Sequence, residues 1–361
     1  MPLAHPARLT ALPALVAALL LAACTAGDAA PTASPAPSVA PTATATPPSD
    51  ASPTPEAQPP ILIAAVGDLM FARDIVTLMQ TEGVAYPFAR VLPLLDGADL
   101  LVGNFEGTFT DRGEPLDKTY TFRAPPDLAE GLAAAGFDLV NLANNHSADF
   151  GEISLLDTLD TLDAVGVAHF GAGLDDTDAY AATTIEVRGQ RIAFLGFSDI
   201  PGAQLAAPGT PGVATPSDRV EESVAAARAA ADYVVVSFHW GIEYTSEVTE
   251  RQRALAHLAI DAGAAVVLGH HPHVLQPTER YRDGLILYSL GNFVFDLDAE
   301  DLDTLGSAPF ETAVAILTLH PDTPPTLEVR PAFIDVDENR PRSATPTEAA
   351  RIGAALAPLA P

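Results

Sequence analysis

From residue 61 onward, short runs of consecutive apolar residues alternate with longer segments whose apolar positions recur at helical spacing. Ile61–Val66 is one unbroken apolar run, and Leu100–Gly103, Asp138–Leu142, Tyr233–Phe238 and Ala265–Leu268 read the same way. Runs without a polar face predict strands buried on both sides, as in parallel sheets covered by helices. Between them the spacing predicts helices at about Asp127–Ala135, Ile153–Val165, Arg219–Ala231 and Thr249–Ala262. Thr183–Val187 and Ala193–Gly196 flank Arg188-Gly189-Gln190, which predicts a hairpin on a second sheet. Thr312–Leu319 and Leu327–Val329 add strands near the C-terminus. This alternation is the pattern of an α/β layered fold.

The chemistry lies at the ends of the buried runs. The first run leads into Gly67-Asp68, the second into Asn104-Phe105-Glu106, and the third into Asn144-Asn145-His146. The fourth ends in His239-Trp240-Gly241 and the fifth in Gly269-His270-His271-Pro272-His273. Functional groups of α/β folds gather at the carboxyl ends of strands. Five of the nine histidines fall in these segments, beside Asp68 and Glu106. Burying so many carboxylates and imidazoles together is costly without a cation, so the set predicts a divalent-metal site with oxygen and imidazole ligands. His5, His169, His257 and His320 have no such company and read as structural.

The first sixty residues read differently. A weakly basic start with Arg8 precedes an apolar run from Ala11 to Ala23, too short to span a bilayer, which predicts an export signal over residues 1–23. The run ends in Leu21-Ala22-Ala23-Cys24, which resembles a bacterial lipobox and implies lipidation at Cys24. That placement predicts an exported chain, anchored by lipid to the outer side of the bacterial cell membrane. Residues 25–60 hold 10 Pro and 20 Ala, Ser or Thr, too little apolar surface to offset the entropy of ordering. Residues 24–60 therefore read as a disordered tether, residues 61–340 as the catalytic or binding domain, and residues 341–361 as a C-terminal helix or tail.

Charge and cysteine content narrow the chemistry further. Lys plus Arg number 18 against 47 Asp plus Glu, a formal net charge of −29, which excludes nucleic-acid binding through a basic surface. Residues 1–60 hold only three acids and one base, so this acidity belongs to the folded part. A single cysteine excludes a disulfide scaffold and multi-cysteine metal sites, leaving His, Asp, Glu and Asn as ligands. Lys118 is the sole lysine, and with Arg73 it reads as an ordinary surface cation.

Six segments, taken in order, resemble the CapA family of poly-γ-glutamate capsule biosynthesis proteins, within the calcineurin-like metallophosphoesterase superfamily. They are Val66-Gly67-Asp68-Leu69-Met70, Asn104-Phe105-Glu106-Gly107, Leu142-Ala143-Asn144-Asn145-His146, His239-Trp240-Gly241-Ile242-Glu243, Gly269-His270-His271-Pro272-His273 and Ser289-Leu290-Gly291-Asn292-Phe293. Tyr120-Thr121-Phe122-Arg123 also resembles a family segment, and the likeness spans most of residues 61–320. It implies two β-sheets packed together and flanked by helices, a four-layer α/β/β/α sandwich. Met70 stands where the wider superfamily has a histidine, and Asn104-Phe105-Glu106 replaces its Gly-Asp-x-x-Asp. CapA-like proteins share both departures.

The resemblance also implies roles. Two divalent ions (Mn, Fe or Zn) would be held by Asp68 and His273 at the first position and Asn145, His239 and His271 at the second, with Glu106 bridging. His146 would donate a proton to the leaving group. Apart from the resemblance, so acidic a domain needs a local positive region to meet an anionic substrate, which the metals and Arg123 would supply. Asp149, three residues after His146, is placed to orient a ligand; Trp240 would pack beneath the site and Glu243 would hold His239. The implied function is a metal-dependent hydrolase or transferase acting on an anionic envelope polymer or phosphoester, alone or beside polymer-synthase subunits. A non-catalytic accessory factor for polymer synthesis or export, and a general phosphoesterase or nucleotidase, remain as alternatives.

Overall fold

The strands of the two large sheets, in chain order, are β1 Ile61–Leu69, β2 Leu100–Phe105, β3 Leu139–Asn141, β4 Ala168–Phe170, β5 Thr183–Val187, β6 Gln190–Ser198 and β7 Tyr233–His239. They continue with β8 Val266–His270, β9 Leu275–Tyr281, β10 Gly284–Leu290, β11 Asn292–Val294, β12 Glu311–Leu319, β13 Thr326–Asp335 and β14 Arg340–Ser343. This computed structural model describes residues 59–217 and 219–359. The signal segment, Cys24 and the tether up to Gln58 lie outside the described residues. The described residues cluster into one compact unit.

The first sheet runs β14-β13-β12-β1-β2-β3-β4, with β11 alongside β1; the second runs β9-β10-β8-β7-β6-β5. Strands β1 to β4 are mutually parallel, and so are β6, β7, β8 and β10. The continuous apolar runs are explained by the layers that cover them. Along β1, Ile61, Ile63 and Ala65 face the second sheet and pack in one cluster with Ile192, Phe194, Val235 and Leu268. Ala64 and Val66 point the other way, into a core shared with Ile75, Leu132 and Leu155 from the helices Arg73–Glu82, Glu130–Ala135 and Glu152–Val165. Across the second sheet, Leu195, Val234, Val236 and Val267 bury against the helices Arg219–Ala230 and Glu250–Ala262. Two inner sheet faces and two helical layers make the expected four-layer α/β/β/α arrangement, in which an alternating polar position has nowhere to go.

The predicted hairpin forms, and a few adjacent residues set other local features. Arg188 (φ 51°) and Gly189 (φ 77°) make the two-residue turn joining β5 to β6, both in the left-handed region that such a turn demands. Thr249 caps the helix Glu250–Ala262 by accepting from the Gln252 N–H, and Gln252 returns the bond. The hydrophobic pattern does not single out the β9–β10 hairpin, because Leu275–Tyr281 carries Pro277 and several polar residues. β9 lies at the edge of its sheet, where proline is tolerated.

Candidate metal centre

Because the parallel strands of each sheet run the same way, their carboxyl ends converge on one edge of the sandwich. Asp68 is next to last in β1, Glu106 follows β2, and Asn144-Asn145-His146 follow β3. From the second sheet, His239 ends β7, while His271 and His273 follow β8. Asp68, Glu106, His146, His239, His271 and His273 are all buried.

Glu106 lies at the centre. Its Oε1 stands 3.7 Å from His239 Nε2, 3.8 Å from His146 Nε2 and 3.9 Å from His273 Nε2. It is fully buried, yet neither carboxylate oxygen has a hydrogen-bond partner. A buried carboxylate in that state is costly, and the gaps are too long for hydrogen bonds but of the span made by two coordination bonds. Asp68, Glu106 and His273 offer ligand atoms within 4.8 Å of one another; so do Glu106, His239 and His271. Glu106 belongs to both sets, which is the position of a shared ligand. The donor set therefore fits two divalent cations.

The surrounding groups hold these ligands in place. Asn141 Nδ2 donates to Asn104 Oδ1 at 2.9 Å, and Asn104 Nδ2 donates onward to Asp68 Oδ1 at 2.9 Å. The same Asn104 Nδ2 faces His239 Nδ1 at 3.3 Å, while His239 Nε2 lies 2.8 Å from Asn145 Oδ1. Asn292 Nδ2 donates to the carbonyls of His273 and Pro309, which turns its Oδ1 toward His273 Nδ1 at 2.8 Å. That contact puts the proton on Nδ1 and leaves Nε2 facing Glu106. His271 (φ 93°) and His273 (φ 57°) are both left-handed, a strain of about 1–3 kcal/mol each that aims both rings inward.

His146 is set by a second network. Its N–H donates to Asn144 Oδ1 at 3.0 Å, its ring stacks on Phe122 at 4.2 Å, and its Nδ1 lies 2.7 Å from Asp149 Oδ2. Asp149 also accepts from Lys118 Nζ and the Phe122 N–H, each at 2.7 Å. Asp149 thus orients His146 as expected. Lys118 is not the surface cation its sequence context predicts: its ammonium also donates to the Asn145 carbonyl at 2.7 Å.

Charges in the cluster are strongly perturbed. Burial pushes the Glu106 carboxyl up to about 8. Burial also opposes ionisation of Asp68, but the imidazoles of His270 and His273 outweigh it and hold Asp68 well below the carboxylate range. His273 is lowered by burial, yet Glu106, Asp68 and Asn292 raise it to about 9. Burial and the neighbouring His273 bring His271 down to about 3, while burial with His271 nearby holds His239 well below its ordinary value. A single buried pocket is holding more ionisable groups than it can satisfy alone.

Two expectations need correction. Arg123 does not reach the cluster; its guanidinium donates to the carbonyls of Arg112 (3.1 Å) and Gly113 (2.9 Å) and lies 3.5 Å over the Phe150 ring. The cause is strand alternation: Phe122 faces His146, so its neighbour in an extended segment must point away. Glu243 does not hold His239, whose ring is held by Asn104 and Asn145; it groups instead with His271 and His273. Trp240 does pack beneath the site, donating from its indole N–H to the Tyr288 carbonyl at 2.9 Å and stacking on Phe238. Asn104 and Asn292 fall inside motifs that the sequence displays, but Asn141 carries no signal of its own. Cys24 lies outside the described residues.

The profile of the family described as "Bacterial capsule synthesis protein PGA_cap" matches residues 62–297. A relative named "Capsule biosynthesis protein CapA" from Bacillus anthracis is 37% identical over 247 residues, covering 65% of this chain and 60% of that protein. A protein from Mycobacterium tuberculosis named "Probable polyglutamine synthesis accessory protein" is 33% identical over 229 residues, covering 59% of this chain and 60% of its own length. The chain thus spans about 60% of the length of the curated relatives it matches. Among solved structures, a novel phosphatase from Mycoplasma pneumoniae superposes with a TM-score of 0.44 at 15% identity, covering 81% of this chain and 97% of that one.

Proposed function

The chain belongs to the PGA_cap family of bacterial capsule synthesis proteins, and from that premise we propose that it is an envelope-tethered hydrolase or transferase. It would depend on a dinuclear metal centre and act on an anionic capsule polymer of the poly-γ-glutamate class. The observation that supports catalysis is Glu106, buried, without a hydrogen-bond partner on either oxygen and shared by two ligand sets. Asp68, Glu106 and His273 would hold one ion and Asn145, Glu106, His239 and His271 the other. When bound, such ions supply an activated water and neutralise charge on a phosphoryl or acyl oxygen. His146, fixed by Asp149 through Nδ1, presents Nε2 to the same space, where in its doubly protonated form it would deliver the leaving-group proton. Cys24 would carry the lipid, and Cys24→Ser would release the chain from the membrane fraction.

The test is genetic and biochemical together. His146→Ala should abolish polymer formation or processing in a complementation assay while leaving metal content intact; full complementation by His146→Ala would refute catalysis. A second reading, a non-catalytic accessory factor working beside polymer-synthase subunits, is favoured by one observation. Met70, buried among Phe122, Phe295 and Phe310, offers no nitrogen or oxygen ligand to the Asp68 position. The name of the Mycobacterium tuberculosis relative points the same way.

A further inference from the structure

With Met70 in the apolar cluster, the Asp68–Glu106–His273 set supplies three ligands, while the other position has Asn145 as a fourth. Divalent ions of this class take four or more. The open side of the centre is lined by the loop that leaves β7, and that loop is tied to the histidine loop by several bonds. The Tyr244 N–H donates to the Pro272 carbonyl at 2.8 Å, and the Trp240 N–H to the His270 carbonyl at 3.0 Å. Gln276 Nε2 donates to the carbonyls of Thr245 and Glu247. Tyr244, like His271 and His273, is a left-handed non-glycine residue, so the turn is held by its surroundings rather than by intrinsic preference. These ties place the Glu243 carboxylate within 4.8 Å of ligand atoms of both His271 and His273. Glu106 approaches from the buried side and Glu243 from the solvent side.

We infer that Glu243 is a further metal ligand, closing the centre from solvent and supplying the donor that Met70 does not offer. The inference rests on the proposed dinuclear site. Glu243 is exposed, so replacing it should not disturb folding. The experiment is calorimetric titration of the chelator-treated full chain with Mn²⁺, with elemental analysis after dialysis, for wild type, Glu243→Gln, Glu243→Asp and Glu247→Gln. Glu247 is an exposed acid of the same loop and controls for general loss of negative charge.

Two equivalents in wild type, one of them weakened at least tenfold in Glu243→Gln, partly restored in Glu243→Asp and unchanged in Glu247→Gln, is the expected result. Two equivalents with wild-type affinity in Glu243→Gln would overturn this assignment and leave the dinuclear site standing. Equal weakening in Glu243→Gln and Glu247→Gln would reduce the effect to overall charge and also overturn it. Failure of the wild type to bind Mn²⁺ would remove the dinuclear reading and the assignment with it.

Discussion

Lys118 Nζ and His146 Nδ1 meet the two oxygens of one buried carboxylate, Asp149, each at 2.7 Å. An ionised carboxylate only accepts, so the His146 proton sits on Nδ1 and Nε2 is the atom presented to the centre. The ammonium also reaches the Asn145 carbonyl, joining the segment before Phe122 to the loop that carries both Asn145 and His146.

Removing Lys118 therefore leaves Asp149 buried with one partner fewer. Lys118→Met should cost about 3 kcal/mol, the order found when one member of a buried pair is deleted, and Lys118→Arg should recover much of it. Thermal melts of the three proteins, alongside turnover, check this; an unshifted melt for Lys118→Met would refute it. Since Lys118 is the sole lysine, an amine-specific reagent should inactivate in step with modification of that residue.

Glu106 has an unusual combination of effects. Glu106→Gln should abolish binding at both metal positions, yet stabilise the metal-free chain at pH 8 by about 1 kcal/mol, because it removes a buried carboxylate that no hydrogen bond satisfies. Metal content and melting temperature with chelator read the two effects separately.

The pH dependence of the metal-free chain comes from the same groups. Glu106 rises from 4.5 to about 8 and His273 from 6.5 to about 9 on folding. Over the interval between those values the folded chain binds more protons than the unfolded one, so stability falls as pH rises. Below pH 6.5, His271 and His239 act in the opposite sense, because folding depresses them. The metal-free chain should thus lose stability, on the order of 5 kcal/mol, between pH 6.5 and 9. Saturating divalent metal should flatten the slope; a flat metal-free profile would contradict the assignment.

Gly67 sets the position of Asp68. A Cβ there would lie 2.0 Å from the Gly291 carbonyl oxygen, where β1 meets the start of β11. Gly67→Ala must push the two backbones apart and should cost about 3 kcal/mol, with metal affinity at the Asp68 position falling further than stability alone explains. Denaturant unfolding and Mn²⁺ titration of this variant provide the check.

Much of this molecule is local, and the local part is legible in the sequence. Strands buried on both faces read as unbroken apolar runs, so β1, β2, β7 and β8 can be placed from sequence. So can the cluster residues that follow the strand ends, Asp68, Glu106, Asn145, His146, His239, His271 and His273. The caps and the Arg188-Gly189 turn are likewise properties of a few adjacent residues. Direction and partnership across the chain needed the tertiary structure. Arg123 turns away because Phe122 is claimed by His146, Lys118 is drawn to an acid 31 residues on, and Asn292 reaches back 19 residues to His273. Glu243 comes beside His271 and His273 through ties such as that of the Tyr244 N–H to the Pro272 carbonyl. Periodicity reports which face of an element is buried; it carries no information about the side chains that the facing element presents there. That pairing is decided by sheet order and the packing of one sheet on the other.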